Sequence, residues 1–235
     1  MNGIHYALSG ILATLGLVIF AAYLARRYGF EIIMAVYAIF VSIASIMAIK
    51  MVNFGFFVIP AGTIVAAATF FITDIVCELW GKEYAKKTVY VGIFGLIIVM
   101  VQQFISVHWP SSIESSDLYN QVMSQNPRVA LASFSAFFIS QFLDIKVFHR
   151  IKKATKGRFL WARNNGSTFT SQTVDSIVFV LLAFYGTYSN TQILSIIGGT
   201  IVFKLFIALI DTPFLYAAVW IFKENDALET MKLKL

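Results

Sequence analysis

The chain has 235 residues, of which 59% are hydrophobic and only 13% charged, with a formal net charge of +6. Soluble domains run at about 45–50% apolar and about 25% charged, so this composition lies outside the soluble globular class. The single Cys77 excludes an internal disulfide and any multi-cysteine zinc or iron–sulfur site.

Repeated apolar runs of about 20 residues point to an integral membrane protein, all-α, a polytopic bundle of six to seven transmembrane helices. Seven segments can be drawn, near 4–24, 30–49, 57–78, 88–107, 129–149, 166–188 and 193–222. They form one integral membrane domain over 1–235. The N-terminus lacks a charged start and a small-residue cleavage site, so segment 4–24 is read as a mature helix. Pro213 falls inside the last segment, where it removes a ladder hydrogen bond and favours a kink.

Lys and Arg gather in alternate loops. Arg26 and Arg27 follow the first segment, Lys82, Lys86 and Lys87 the third, and Arg150, Lys152, Lys153, Lys156, Arg158 and Arg163 the fifth. Basic loops mark the cytoplasmic side, which predicts a multi-pass protein of the cell membrane with the N-terminus outside and the C-terminus cytoplasmic. Because the positive charge is split among short loops, no nucleic-acid partner is implied. The opposite stretch 111–127 is polar and reads as a connector, with a lid or a surface helix as alternatives. Trp109 and Tyr119 suit the outer interface, Trp80, Tyr84 and Trp161 the inner one. The tail, 223–235, is mixed in charge and expected to be solvated.

Seven ionisable residues fall within the segments: Asp74, Glu78, Asp144, Lys146, Asp175, Lys204 and Asp211. Each would cost about 3 kcal/mol at the bilayer centre on insertion scales, so such groups face protein, water or ligand. Asp74 and Glu78 are four apart and share a helix face. Gln141 shares one with Asp144, and Thr168, Gln172, Asp175 and Phe179 follow at steps of four, three and four. Lys146 can snorkel to the inner surface. Lys204 and Asp211 share a face, and either can pair with Asp175 across a helix interface; both are assigned structural or gating roles. Asp175, on the polar face of the sixth segment, is expected to touch ligand directly.

No zinc-protease motif, hydrolase elbow or phosphate-binding Gly-x-x-x-x-Gly-Lys-Ser/Thr loop occurs, and no nucleophile–base pair is evident. The chain therefore reads as a non-enzyme that needs no cofactor and no metal. A mixed set of Asp, Gln, Ser and Lys suits shaped recognition of a solute better than a channel's ring of like charge.

Two blocks, TDIVCELWGKEYAKKTV at 73–89 and SQFLDIKVFHRIKKATKGRFLWARNNGSTFTSQTVDSIVFVLLAF at 140–184, resemble the queuosine precursor transporters, or vitamin-uptake-transporter-like family. The second block is the specific one: an acid-bearing helix, a basic loop, Trp-x-Arg-Asn, Gly-Ser-Thr and Ser-Gln-x-x-Asp in order. The likeness covers about 30–222; the family commonly has six helices, so segment 4–24 reads as an extra one. Cys77 stands where a polar residue is expected, and Trp80 where Tyr or Phe is commoner. The resemblance implies import of 7-deazaguanine bases, such as queuine and the 7-cyano and 7-aminomethyl forms, salvaged for tRNA modification. By motif position it implies substrate contacts from Asp74, Glu78, Gln141, Asp144, Asn165, Ser171, Gln172 and Asp175. Phe148 and Phe179 lie on faces suited to stacking on the base. The energy source stays open between a stand-alone secondary transporter and a substrate-binding membrane subunit of an energy-coupling-factor type importer, served by a separate ATPase module. A third class, an intramembrane enzyme, lacks any supporting motif.

Overall fold

The computed structural model describes residues 3–48, 50–54, 57–111, 115–124 and 127–232. In chain order these form α1 (Gly3–Tyr28), α2 (Glu31–Met47), β1 (Met51–Phe54), β2 (Phe57–Pro60), α3 (Thr63–Leu79), α4 (Lys82–His108), α5 (Ser115–Met123), α6 (Pro127–Ala154), α7 (Leu160–Phe184) and α8 (Asn190–Lys232). The result is a polytopic helical bundle. The helices of α1, α4, α6, α7 and α8 are long and apolar enough to cross a bilayer, and α2 is a shorter apolar helix. Their outer faces carry exposed large apolar side chains such as Phe94, Phe104, Leu131, Leu194 and Trp220, as lipid contact requires.

α3 is the central rod. Every residue from Ala67 to Cys77 is buried, polar Thr69, Thr73 and Asp74 among them. Helices α6 and α7 pack along each other beside it, and α7 turns a polar face inward that includes Asn164, Ser167, Thr168, Ser171 and Gln172. Tyr37 of α2 is wholly buried against Gly92 of α4, where an added Cβ would lie 2.3 Å from the ring. Glycine there is what lets the two helices approach.

The expected helix over 57–78 is shorter than drawn, because its first residues are extended. β1 and β2 pair antiparallel, with Met51 opposite Pro60 and Val52 opposite Ile59; the turn at 55–56 lies outside the described residues. Proline disfavours helical geometry in the residue before it, which holds Ile59 extended. Gly62 then sits so close to α2 that a Cβ would meet the Ala44 carbonyl oxygen at 2.3 Å. The stretch 111–127, read as a connector, contains α5, where Tyr119 Oη lies 2.7 Å from Ser106 Oγ of α4. The last helix runs through Pro213 and on to Lys232, so most of the tail is helical.

Since successive long helices reverse direction, the bundle has two unlike ends. One holds the hairpin and the turn at 185–189. The other gathers the basic loops, where Phe30, Trp80, Tyr84 and Phe222 form a ring cluster with centroids 4.9–5.3 Å apart. Arg26 Nη1 donates to the Ile221 carbonyl at 2.6 Å in the same layer.

Candidate binding site

A cavity of about 190 Å³ opens at the hairpin end. Ala44 and Ser45 of α2, Pro60, Gly62, Ser133 of α6, Phe184, Tyr188 and Ile196 line its mouth. Thr69, Phe70, Phe137, Phe179, Asp175 and Lys204 lie deeper. Below it the polar residues of α3, α6, α7 and α8 form three layers.

The upper layer is the cavity floor. Lys204 Nζ donates to Asp175 Oδ2 in an ion pair, and Ser140 Oγ donates to Asp175 Oδ1 at 3.0 Å. Of the two partners open to sequence reasoning, α8 therefore supplies Lys204. Asp211 is two turns away on the same helix and accepts instead from Asn164 Nδ2 at 3.1 Å. Gln141 is held flat under the floor: its Nε2 donates to Thr69 Oγ1 at 3.0 Å, and its Oε1 accepts from Thr73 Oγ1 at 3.3 Å.

One to two turns deeper come Gln172, Asp144 and Asp74, all fully enclosed. Ser171 Oγ donates to Asp144 Oδ1 at 2.8 Å, and Thr168 Oγ1 donates to Asp74 Oδ2 at 3.1 Å. The two carboxyl groups meet within hydrogen-bonding reach of each other. Apart from that contact between the acids, no hydrogen-bond partner among the described residues reaches Asp74 Oδ1, Asp144 Oδ2, the two amide atoms of Gln172 or the Tyr37 hydroxyl. Buried polar atoms are nearly always paired, because an unpaired one costs about 1–3 kcal/mol. This layer is thus an unsatisfied array of acceptors and donors just below a cavity.

The lowest layer is saturated. Arg163 grips Glu78 with two parallel bonds, Nε to Oε2 at 3.0 Å and Nη2 to Oε1 at 2.8 Å. Its Nη1 donates to the Gly157 and Arg158 carbonyls at 3.0 and 3.1 Å, and Phe148 lies under the guanidinium at 5.8 Å. Lys152 Nζ adds a third contact to Glu78 at 2.8 Å. This network ties α3, α6 and α7 together at the basic end.

The residues singled out from sequence therefore separate. Asp175 and Phe179 line the cavity, and Gln141, Ser171, Gln172, Asp144 and Asp74 sit just beneath it. Glu78 and Phe148 belong to the basic-end network. Asn165 reaches α8 instead, donating to Thr212 Oγ1 at 2.8 Å. Lys146 is exposed on the bundle surface. Sequence reasoning missed Tyr37, an aromatic in an apolar run, and took Arg163 for loop charge although it is only 3% exposed. Its signal was position: Arg163 is the last of the basic run and next to the polar face of α7.

A polytopic bundle with a one-sided cavity above a buried polar array is the architecture of a membrane transporter. The family model described as "Putative vitamin uptake transporter" matches residues 60–218. The chain belongs to that family. A "Probable queuosine precursor transporter" of Bacillus subtilis is 34% identical over 178 residues, 74% of this chain and 78% of that protein. A "Probable queuosine precursor transporter" of Haemophilus influenzae is 30% identical over 53% of this chain and 51% of its own. The "Queuosine precursor transporter" of Escherichia coli is 27% identical over 49% of this chain and 51% of its own. No solved structure matches the chain.

Proposed function

We propose that this protein imports queuosine precursors, 7-deazaguanine bases such as queuine and its 7-cyano and 7-aminomethyl relatives, for salvage into tRNA. The observation that carries the reading is the Gln172 amide, both of whose polar atoms lack a partner among the described residues, buried in the same layer as the Asp74–Asp144 acid pair. A guanine-like edge offers a ring N–H and an exocyclic amine beside a carbonyl. Carboxylate oxygens accept from the first two, and an amide N–H₂ donates to the third. The ring needs an apolar slot, which Phe70, Phe137 and Phe179 of the cavity provide. A base entering from the hairpin end meets Asp175 and Lys204 first and the acid pair beyond them.

Basic loops on the cytoplasmic side would turn the cavity outward, the geometry of an importer before uptake. The Glu78–Arg163–Lys152 network would then close the inner side. Reporter fusions after Lys87 and after Lys156 should both behave as cytoplasmic; an outside location for either reverses the direction. The function itself is tested in cells unable to make the base, by whether this chain restores queuosine in tRNA from supplied precursor. Proteoliposomes holding this chain alone then separate a stand-alone transporter from a subunit that needs an ATPase module, since only the former accumulates the base.

A further inference from the structure

We infer that Lys204 sets the charge of the substrate that the cavity accepts, acting as a built-in counter-ion that a cationic ligand must displace; this rests on the proposed import of deazaguanine bases. Among the described residues that line the cavity, Lys204 and Asp175 are the only ones with charged side chains. Their side chains are 7% and 16% exposed, and they pair with each other. The cavity floor is thus formally neutral, and the rest of the lining is apolar or uncharged.

Across the α7–α8 interface Asp175 pairs with Lys204, while Asp211, two turns further along α8, is engaged by Asn164. Ser140 fixes the other oxygen of Asp175, so the carboxylate is held in place whether or not the ammonium is on it. At so little exposure an ammonium and a carboxylate interact more strongly than they do in water. A ligand with an uncharged substituent leaves the pair intact. One with its own ammonium competes with Lys204 for Asp175 and must leave a displaced cation in an apolar lining. The wild-type floor therefore disfavours the second kind.

The probes are 7-cyano-7-deazaguanine, whose substituent is neutral, and 7-aminomethyl-7-deazaguanine, whose substituent is an ammonium. Binding of both is measured on the same purified sample, so that the ratio of the two affinities is independent of the fraction folded. Lys204→Met should shift that ratio at least tenfold towards the aminomethyl base, because Asp175 is left without a cation. Lys204→Arg, which keeps the charge, should hold it within about threefold of wild type. Asp175→Asn leaves Lys204 unpaired and should shift the ratio at least tenfold the other way. If Lys204→Met does not fold, the Asp175→Asn arm decides alone. An unchanged ratio in whichever of the two folds overturns the role of Lys204. Wild type that binds neither base overturns the proposed function instead, and the two failures are distinct.

Discussion

Glu78 and Asp74 stand four residues apart on α3 and face the same way, yet one is saturated and the other is not. Glu78 receives two bonds from Arg163 and a third contact from Lys152, beside the loop that reverses the chain. Asp74 receives one bond from Thr168 and meets a second acid, and its Oδ1 has no other partner among the described residues. A partly buried acid matched by two cations holds helices together. A buried acid left partly unpaired implies that something else completes it. On the proposed function, the contrast gives the basic end a structural role and the layer beneath the cavity a part in recognition.

The largest effect should come from breaking the saturated region. Arg163→Met strands Glu78 with Lys152 alone and frees two loop carbonyls, and should cost about 3–5 kcal/mol of stability. Denaturant unfolding in detergent reads this directly; a loss below about 1 kcal/mol would mean the network is ornamental. Ligand affinity of the folded fraction should change little.

In the unsatisfied region the expected effect is on affinity rather than on folding. Asp144→Asn can keep its bond to Ser171 but offers a donor where a carboxylate oxygen was open. It should weaken base binding by about 1.5–3 kcal/mol, or roughly ten- to 150-fold, with near-normal unfolding. A folding defect with normal affinity would move Asp144 into the structural class.

Gln172 sharpens the contrast further, because neither of its amide atoms has a partner among the described residues. Gln172→Met fills similar space without polar atoms. It should raise the stability of the empty protein by about 1 kcal/mol while lowering affinity about tenfold. Thermal unfolding with and without ligand measures both. If the substitution destabilises the empty protein, the amide is satisfied in some other way.

The helix faces, though not this division between them, were legible in the chain. Steps of three and four placed Gln141 with Asp144, and Thr168 with Gln172 and Asp175, since a helix brings such residues to one face. What could not be read was which helix faces which. The pairing of Asp175 with Lys204 rather than Asp211, and the placing of Glu78 and Phe148 at the basic end, depend on tertiary contacts. The hairpin at 51–60 was hidden because a short apolar run reads alike as strand or helix. Tyr37 was hidden for a related reason: in an apolar helix a tyrosine looks like packing until its hydroxyl is seen without a partner.

The smallest expected effect is at Lys146, which lies on the outside of the bundle. Lys146→Gln should leave both stability and affinity within about 0.5 kcal/mol of wild type. A larger loss of affinity would extend the site beyond the interior layers.

The most direct test is a calorimetric titration of purified wild type and Asp74→Asn with 7-cyano-7-deazaguanine. If the open oxygen of Asp74 receives the base, the substitution should raise Kd roughly ten- to 150-fold, while the unfolding midpoint stays near that of wild type. Wild-type affinity in well-folded Asp74→Asn protein would contradict the account, because the least satisfied acid of α3 would then have no part in recognition.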